Sequence, residues 1–458
     1  MNAIVIVADS LRRDHLGCYG NPWIHTPNID RFAQEALVFD YAFSEGLPTL
    51  PTRTAMWTGR HTLPFRGWQA LERDDIVLAE WLWDKGFTTA LVTDVYHMHK
   101  PGMGYCRGFD TIRFIRGQEY DPWVVDETID VSDGLKRHFK PCPQAERAEF
   151  FHQGLRQYLR NISLRRREED YFVARVCQEA VRWLEQMAGR DHLVLWVDCF
   201  DPHEPWDPPE EYYARYADPT YEGLQIIDPV PTLVEGYLSP EELRNTMALY
   251  AGEVSFVDRW VGYLLDAARS LGYFDNSLIL FTTDHGEPFN DHGIIRKCRP
   301  WNYEELVHVP FLLHLPDGTG AGQRSDAIIQ LCDVAPGLYD FLGVPHPPGE
   351  TARSFLPVAR GEDPGRPCAV IGHYGKSWTI RDREWSFHLF HGCQGFDATR
   401  DPAVPVQIPH GSGRELYHLV TDPTEQRNVV AQHPERADAM ELELRRFMAD
   451  LRWERHQR

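Results

Sequence analysis

Short apolar runs alternate along this chain with stretches of helical period. Ala3–Ala8, Thr88–Thr93, Leu193–Cys199 and Ser277–Thr283 are compact runs rich in Val, Ile, Leu and Thr. That is the pattern of strands buried on both faces. Helical period marks Thr49–Thr58, Glu168–Met187, Pro240–Leu271 and Asp333–Leu342. Strand followed by helix, repeated, predicts an α/β fold with a large, mostly parallel sheet flanked by helices. A carboxylate follows each strand candidate: Asp9, Asp94, Asp201 and Asp284. A single Asp there equally well caps a turn or a helix. Several on one edge predict a site, because open α/β sheets bind ligands at the carboxyl ends of their strands.

The segment Asp121–Arg167 breaks this rhythm, with mixed charge and little periodicity, and is expected to form a surface insertion (residues 121–167), a lid or an oligomer contact. A second break is the Pro/Gly-rich stretch from Gly343 to Gly349. It divides an expected α/β domain, residues 1–345, from a smaller C-terminal α+β subdomain, residues 346–458. That subdomain is expected to hold strands at Cys368–Gly372 and Trp385–Phe390 and a closing helix at Pro434–Leu451.

Composition narrows the partners. With 458 residues, the chain can bury a sizeable core. Its net charge of −21 argues against nucleic acid or an anionic membrane as partner. An anionic substrate would therefore need a local positive site. The nine cysteines are odd in number and show no CxxC pair, so reduced thiols and a cytoplasmic location are expected. The opening apolar run is too short, and lacks the basic start, for a signal peptide. Homo-oligomerisation is left open.

The strand-end residues fall into ordered motifs. The opening is Val7-Ala8-Asp9-Ser10-Leu11-Arg12-Arg13-Asp14, running on to Gly17-Cys18-Tyr19-Gly20. Next comes Pro48-Thr49-Leu50-Pro51-Thr52-Arg53, followed by Thr58-Gly59-Arg60. Asp201-Pro202-His203-Glu204-Pro205 follows the third strand, and Thr282-Thr283-Asp284-His285-Gly286-Glu287 ends the fourth. Arg414-Glu415-Leu416-Tyr417 begins a tail that continues to Asn428. Together these resemble the sulfatase family of the alkaline phosphatase superfamily, in its sulfatase and phosphonate monoester hydrolase branch. The resemblance implies an alkaline phosphatase-like fold and a metal-dependent hydrolase of anionic esters.

The resemblance also assigns roles. Asp9, Asp284 and His285 match metal ligands, and Thr49 stands at the nucleophile, where it would also touch the metal. Two hard carboxylates with an imidazole suit one divalent ion, Mn²⁺, Zn²⁺, Mg²⁺ or Ca²⁺, and the histidine tilts the choice toward Mn²⁺ or Zn²⁺. Arg53 would stabilise the threonine alkoxide. His203, as an imidazolium, and Lys297 would contact the transferred group, with Tyr96 and His97 as further substrate contacts. A second metal would need Asp201 and His203 with His373 or His388; a single metal is expected.

Three departures matter. Ser10 stands where many sulfatases place another acidic ligand. Asp94 stands where many place a lysine. Thr49 replaces the Cys or Ser that becomes formylglycine, and its β-methyl group bars that route, so no formylglycine is expected. A threonine ester cannot be released by C–O chemistry and must be hydrolysed at its central atom. This favours a phosphodiester or phosphonate monoester as the small anionic substrate, with a sulfate ester close behind. The alternatives are a sulfuric ester hydrolase that works without formylglycine and an inactive, ligand-binding relative.

Overall fold

The computed structural model describes residues 1–63, 66–297, 299–390 and 413–456, with side chains to residue 451. Its main sheet runs, edge to edge, through His308–Val309, Leu37–Phe43, Phe311–His314, Ser277–Thr282, Asn2–Ala8, Leu193–Cys199, Thr88–Thr93 and Thr111–Phe114. Arg324–Gln330 also pairs with Leu37–Phe43. The five strands from Ser277–Thr282 to Thr111–Phe114 are all parallel. This is the large, mostly parallel α/β sheet expected, with the four strand candidates at or beside its centre.

Helices cover both faces. On one, Phe172–Gln186 and Pro240–Ser270 pack beneath Ile4, Ile6 and Leu195. The longer helix starts where Ser239 and Glu242 form a reciprocal capping box ahead of Pro240, which satisfies two end groups and fixes the entry. On the other face, Thr49–Thr58 and Val334–Leu342 pack over Val5, Val7 and Leu280. Among the described residues no helix is long and apolar enough to cross a membrane. The seven cysteines described are all free.

Two expectations need correction. Glu168–Met187 is not one helix: a short turn at Glu168–Asp170 precedes Phe172–Gln186. Asp170 accepts the backbone N–H groups of Arg166 and Arg167 and holds the chain extended at Tyr171. Nor is the 121–167 segment a surface excursion throughout. Its helix Ala145–Asn161 buries Ala148, Leu155, Tyr158 and Leu159 in the main core. Charged residues on the other face masked that stripe.

The C-terminal residues build a second sheet, ordered Arg414–His418, Trp385–Phe390, Ser377–Arg381, Ala369–His373 and Gly46–Leu47. Its outer strand comes from far upstream. Gly46 and Leu47 pair in parallel with Gly372 and His373, immediately before the Thr49 helix. The closing helix, Pro434–His456, packs Ala437, Met440 and Leu444 against this sheet.

Candidate active site

Arg53 organises the carboxyl ends of the central strands. It lies one turn into the Thr49–Thr58 helix and is fully buried. Its Nε and Nη2 donate to Asp198 at 3.0 and 2.6 Å, and Nη2 also donates to Asp9 at 3.0 Å. Nη1 donates to Asp284 at 2.6 Å and to the Thr49 carbonyl at 3.1 Å. Every N–H of the guanidinium is thus engaged. None remains for an alkoxide on Thr49, so the expected direct contact is corrected: Arg53 positions three carboxylates and the start of the helix.

Thr49 sits at the first turn of that helix, 2% exposed. Its Oγ1 lies 3.5 Å from His285 Nε2. His285 donates Nδ1–H to the Gly286 carbonyl at 2.8 Å, which leaves the Nε2 lone pair facing Thr49 and Asp284. Burial, opposed by Asp284, pushes this imidazole down to about 4, so it is neutral. Ser10 takes a positive φ of 61°. That turn aims its N–H at Asp284 Oδ1 (3.1 Å) and its hydroxyl at Asp9 Oδ1 (3.0 Å). Ser10 therefore orients both carboxylates without adding a charge.

A second layer surrounds Lys297. Its ammonium donates to Ser10 Oγ at 3.2 Å and to Glu287, with Glu204 at 3.6 Å. Arg296 joins Glu204 to Asp228. His203 is buried on Phe200, ring centroids 4.1 Å apart, and donates Nδ1–H to the Glu204 carbonyl at 2.8 Å. Burial first, then the charge of Lys297, holds it well below the ordinary histidine range. The expected resting imidazolium is thus corrected: His203 is a neutral imidazole with Nε2 free to accept.

The remaining candidates lie further out. His97 pairs with Glu119 at 2.6 Å and meets Trp68 edge-on. Tyr96 lies under the Lys100 ammonium. Asp94 is buried and accepts the Phe200 N–H at 2.7 Å, bracing the loop that carries His203. Asp201 belongs to a different network, accepting from Gln118 and the Val173 N–H. His388 is tied to Thr379, Ser386 and Glu425 in the C-terminal sheet. The alternative second-metal set is therefore not assembled.

Comparison with known proteins agrees with this frame. The sulfatase family model matches residues 1–344. The chain belongs to the sulfatase family. It is similar to an arylsulfatase of Clostridium perfringens, 26% identical over 385 residues covering 76% of each chain. It is also similar to mouse iduronate 2-sulfatase, 24% identical over 78% of this chain and 71% of that protein. Among solved structures, the phosphonate monoester hydrolase of Agrobacterium radiobacter superposes with a TM-score of 0.73 at 20% identity, covering 98% of this chain and 96% of that one. The phosphonate monoester hydrolase of Silicibacter pomeroyi gives 0.70 at 19% identity, covering 98% and 95%. At such identities these structures establish the fold.

Sulfatases generally bind a divalent metal, and the residues here fit one. Ligand atoms of Asp9, Asp284 and His285 lie within 4.8 Å of one another, all buried. Three carboxyl groups, Asp9, Asp198 and Asp284, face the single guanidinium of Arg53. Ionised together, they would leave two negative charges over, because Lys297 is taken up by Glu204 and Glu287. Burial and the neighbouring Asp284 push Asp9 well above the usual carboxylate range, as expected where a balancing cation belongs.

Asp198 escaped sequence reasoning. It lies inside the strand Leu193–Cys199, in register with Val7 and Thr93, and the nearby Asp-Pro-His motif drew attention to Asp201 instead. The signal was present: a charged residue near the end of an otherwise apolar buried strand needs a partner.

Proposed function

We propose that this sulfatase-family protein hydrolyses small anionic esters with Thr49 as nucleophile, and that its substrates are phosphodiesters or phosphonate monoesters. The observation carrying this reading is Thr49 Oγ1 at the helix start, 3.5 Å from His285 Nε2 and beside the Asp9–Asp284 pair. Asp9, Asp284 and His285 would hold a divalent cation, with Thr49 Oγ1 as a further ligand, and the cation would supply charge that favours the alkoxide. The helix N-terminus adds to that field.

Thr49 Oγ1 attacks phosphorus, a Thr49–O–P bond forms, and the bond to the leaving alcohol breaks. The hydroxyl proton goes to the departing oxygen. Water then cleaves the ester at phosphorus, its hydroxyl staying there and its other proton returning to Thr49. His203, neutral with Nε2 unprotonated, accepts that proton from the water and passes it to the departing Thr49 oxygen. Lys297 supplies positive charge to the non-bridging oxygens. His97 and Tyr96, both half-buried, would contact the leaving group. The free thiols support a reducing compartment such as the cytoplasm.

The solved hydrolases of phosphonate monoesters support the phosphorus reading, whereas the arylsulfatase and iduronate 2-sulfatase relatives favour sulfate esters as the second. The test is a metal-reconstituted panel of 4-nitrophenyl sulfate, phosphate, phosphodiester and phenylphosphonate, with native protein and Thr49→Ala. Diester or phosphonate turnover that disappears with Thr49→Ala is expected. Preferential sulfate turnover overturns the substrate class. Turnover indifferent to Thr49→Ala overturns the nucleophile.

A further inference from the structure

His373 ends the strand Ala369–His373 and is completely buried, yet neither ring nitrogen has a hydrogen-bond partner. A buried imidazole left in this state costs free energy, so an orphan of this kind demands an explanation. Its position supplies one. His373 is paired with Leu47, two residues before Thr49, and lies close enough to His285 and Lys297 for electrostatic interaction with both. Across the hairpin it faces Ser377, whose hydroxyl donates to the Pro300 carbonyl at 2.5 Å. That contact holds the loop following Lys297 against the C-terminal sheet. The same loop carries Asn302, also fully buried, with both amide atoms unpaired. Among the described residues, His373 and Asn302 are the side chains that leave two separate atoms, one able to donate and one able to accept, buried and unpaired.

The chemistry of the missing partner follows. A neutral imidazole presents one N–H and one lone pair, and a carboxamide presents both kinds as well. The oxygens of an ionised phosphoryl or sulfuryl group only accept, so they satisfy the donors and leave the acceptors bare. A hydroxyl group does both. We propose that His373 forms a subsite for a hydroxyl group on the leaving alcohol, so that the enzyme prefers esters of polyols or sugars. This rests on the hydrolase reading above and adds the leaving-group class to it.

The test uses the full-length, metal-loaded protein and three phenylphosphonate esters: 4-nitrophenyl, n-propyl and 2,3-dihydroxypropyl. The propyl and dihydroxypropyl esters share an alkyl leaving group and differ in the hydroxyls. Native enzyme should favour the dihydroxypropyl ester over the propyl ester by at least about tenfold in kcat/KM. His373→Ala should abolish that preference while changing the nitrophenyl and propyl rates less than about threefold. His373→Gln, which keeps a donor and an acceptor, should recover part of it and guards against simple misfolding. Metal content, measured for each variant, should not change.

Native enzyme that treats the propyl and dihydroxypropyl esters alike, zero turnover included, overturns the subsite. Equal losses on both alkyl esters would make His373 a leaving-group acid instead, and loss of metal would make it a ligand; either result also overturns it. Thr49→Ala on the nitrophenyl ester reports separately on the hydrolase reading.

Discussion

Arg53 and Lys297 are both buried cations at the same edge of the sheet, held in different ways. Arg53 is enclosed by three strand-end aspartates and the carbonyl of Thr49. Its planar fork fixes each of them in direction as well as distance. Lys297 rests on a loop among Ser10, Glu287 and Glu204, and Glu204 is shared with Arg296. An ammonium is a point charge on a flexible stem. With Glu204 shared, it can turn toward an incoming oxyanion and leave Arg296 to hold Glu204. The contrast separates architecture from function: the cation with every donor committed builds the site, and the one with a shared partner is available to substrate.

Breaking the first half should have the larger effect. Arg53→Met leaves three buried carboxylates without their cation and should cost about 3–5 kcal/mol of stability, read by urea denaturation. Retained stability would mean that the aspartates are already protonated or otherwise neutralised. Breaking the second half should spare the fold more. Lys297→Met should lower kcat/KM on the preferred ester by about 100-fold, or roughly 3 kcal/mol of transition-state stabilisation, while metal content stays stoichiometric. A variant that loses metal as well would place Lys297 on the architectural side.

A smaller test lies at the margin of the two halves. His292 bridges Glu305 at 3.0 Å and the Glu425 carbonyl at 2.9 Å, tying the loop before Lys297 to the C-terminal tail. Against the opposing effect of burial, the Glu305 hydrogen bond and charge raise it to about 9, above the ~6.5 of an unfolded chain. The folded state thus binds the proton more tightly. Its stabilisation is complete below about pH 6.5 and is lost as pH rises through about 9. His292→Gln should remove on the order of 1–2 kcal/mol at pH 6 and almost nothing at pH 10. Equal losses at both pH values would show a packing effect, with ring stacking on Tyr303 as its source.

Much of this was legible in the sequence. The central strands are buried on both faces, so their apolar runs stand out, and the resemblance to sulfatase motifs groups Asp9, Thr49, Asp284 and His285 as one site. Asp198 was hidden because the pleat decides which of two nearby aspartates points into the site, and no local pattern encodes that. The protonation of His203 depends on burial and on Lys297, which approaches from a distant part of the chain. The orphaned state of His373 depends on the C-terminal sheet recruiting Gly46 and Leu47, a pairing across more than half the chain. The stripe of Ala145–Asn161 was present but diluted by charge on its other face.

The central claim is that Thr49 itself carries the transferred group. Acid-quenching the enzyme during turnover of 4-nitrophenyl phenylphosphonate and sequencing its peptides by mass spectrometry tests this directly. The account predicts a phenylphosphonyl adduct on Thr49 that appears within a turnover, decays as substrate is exhausted and is absent from Thr49→Ala. Steady turnover with an unmodified Thr49 peptide, or with the adduct on another residue, would contradict it.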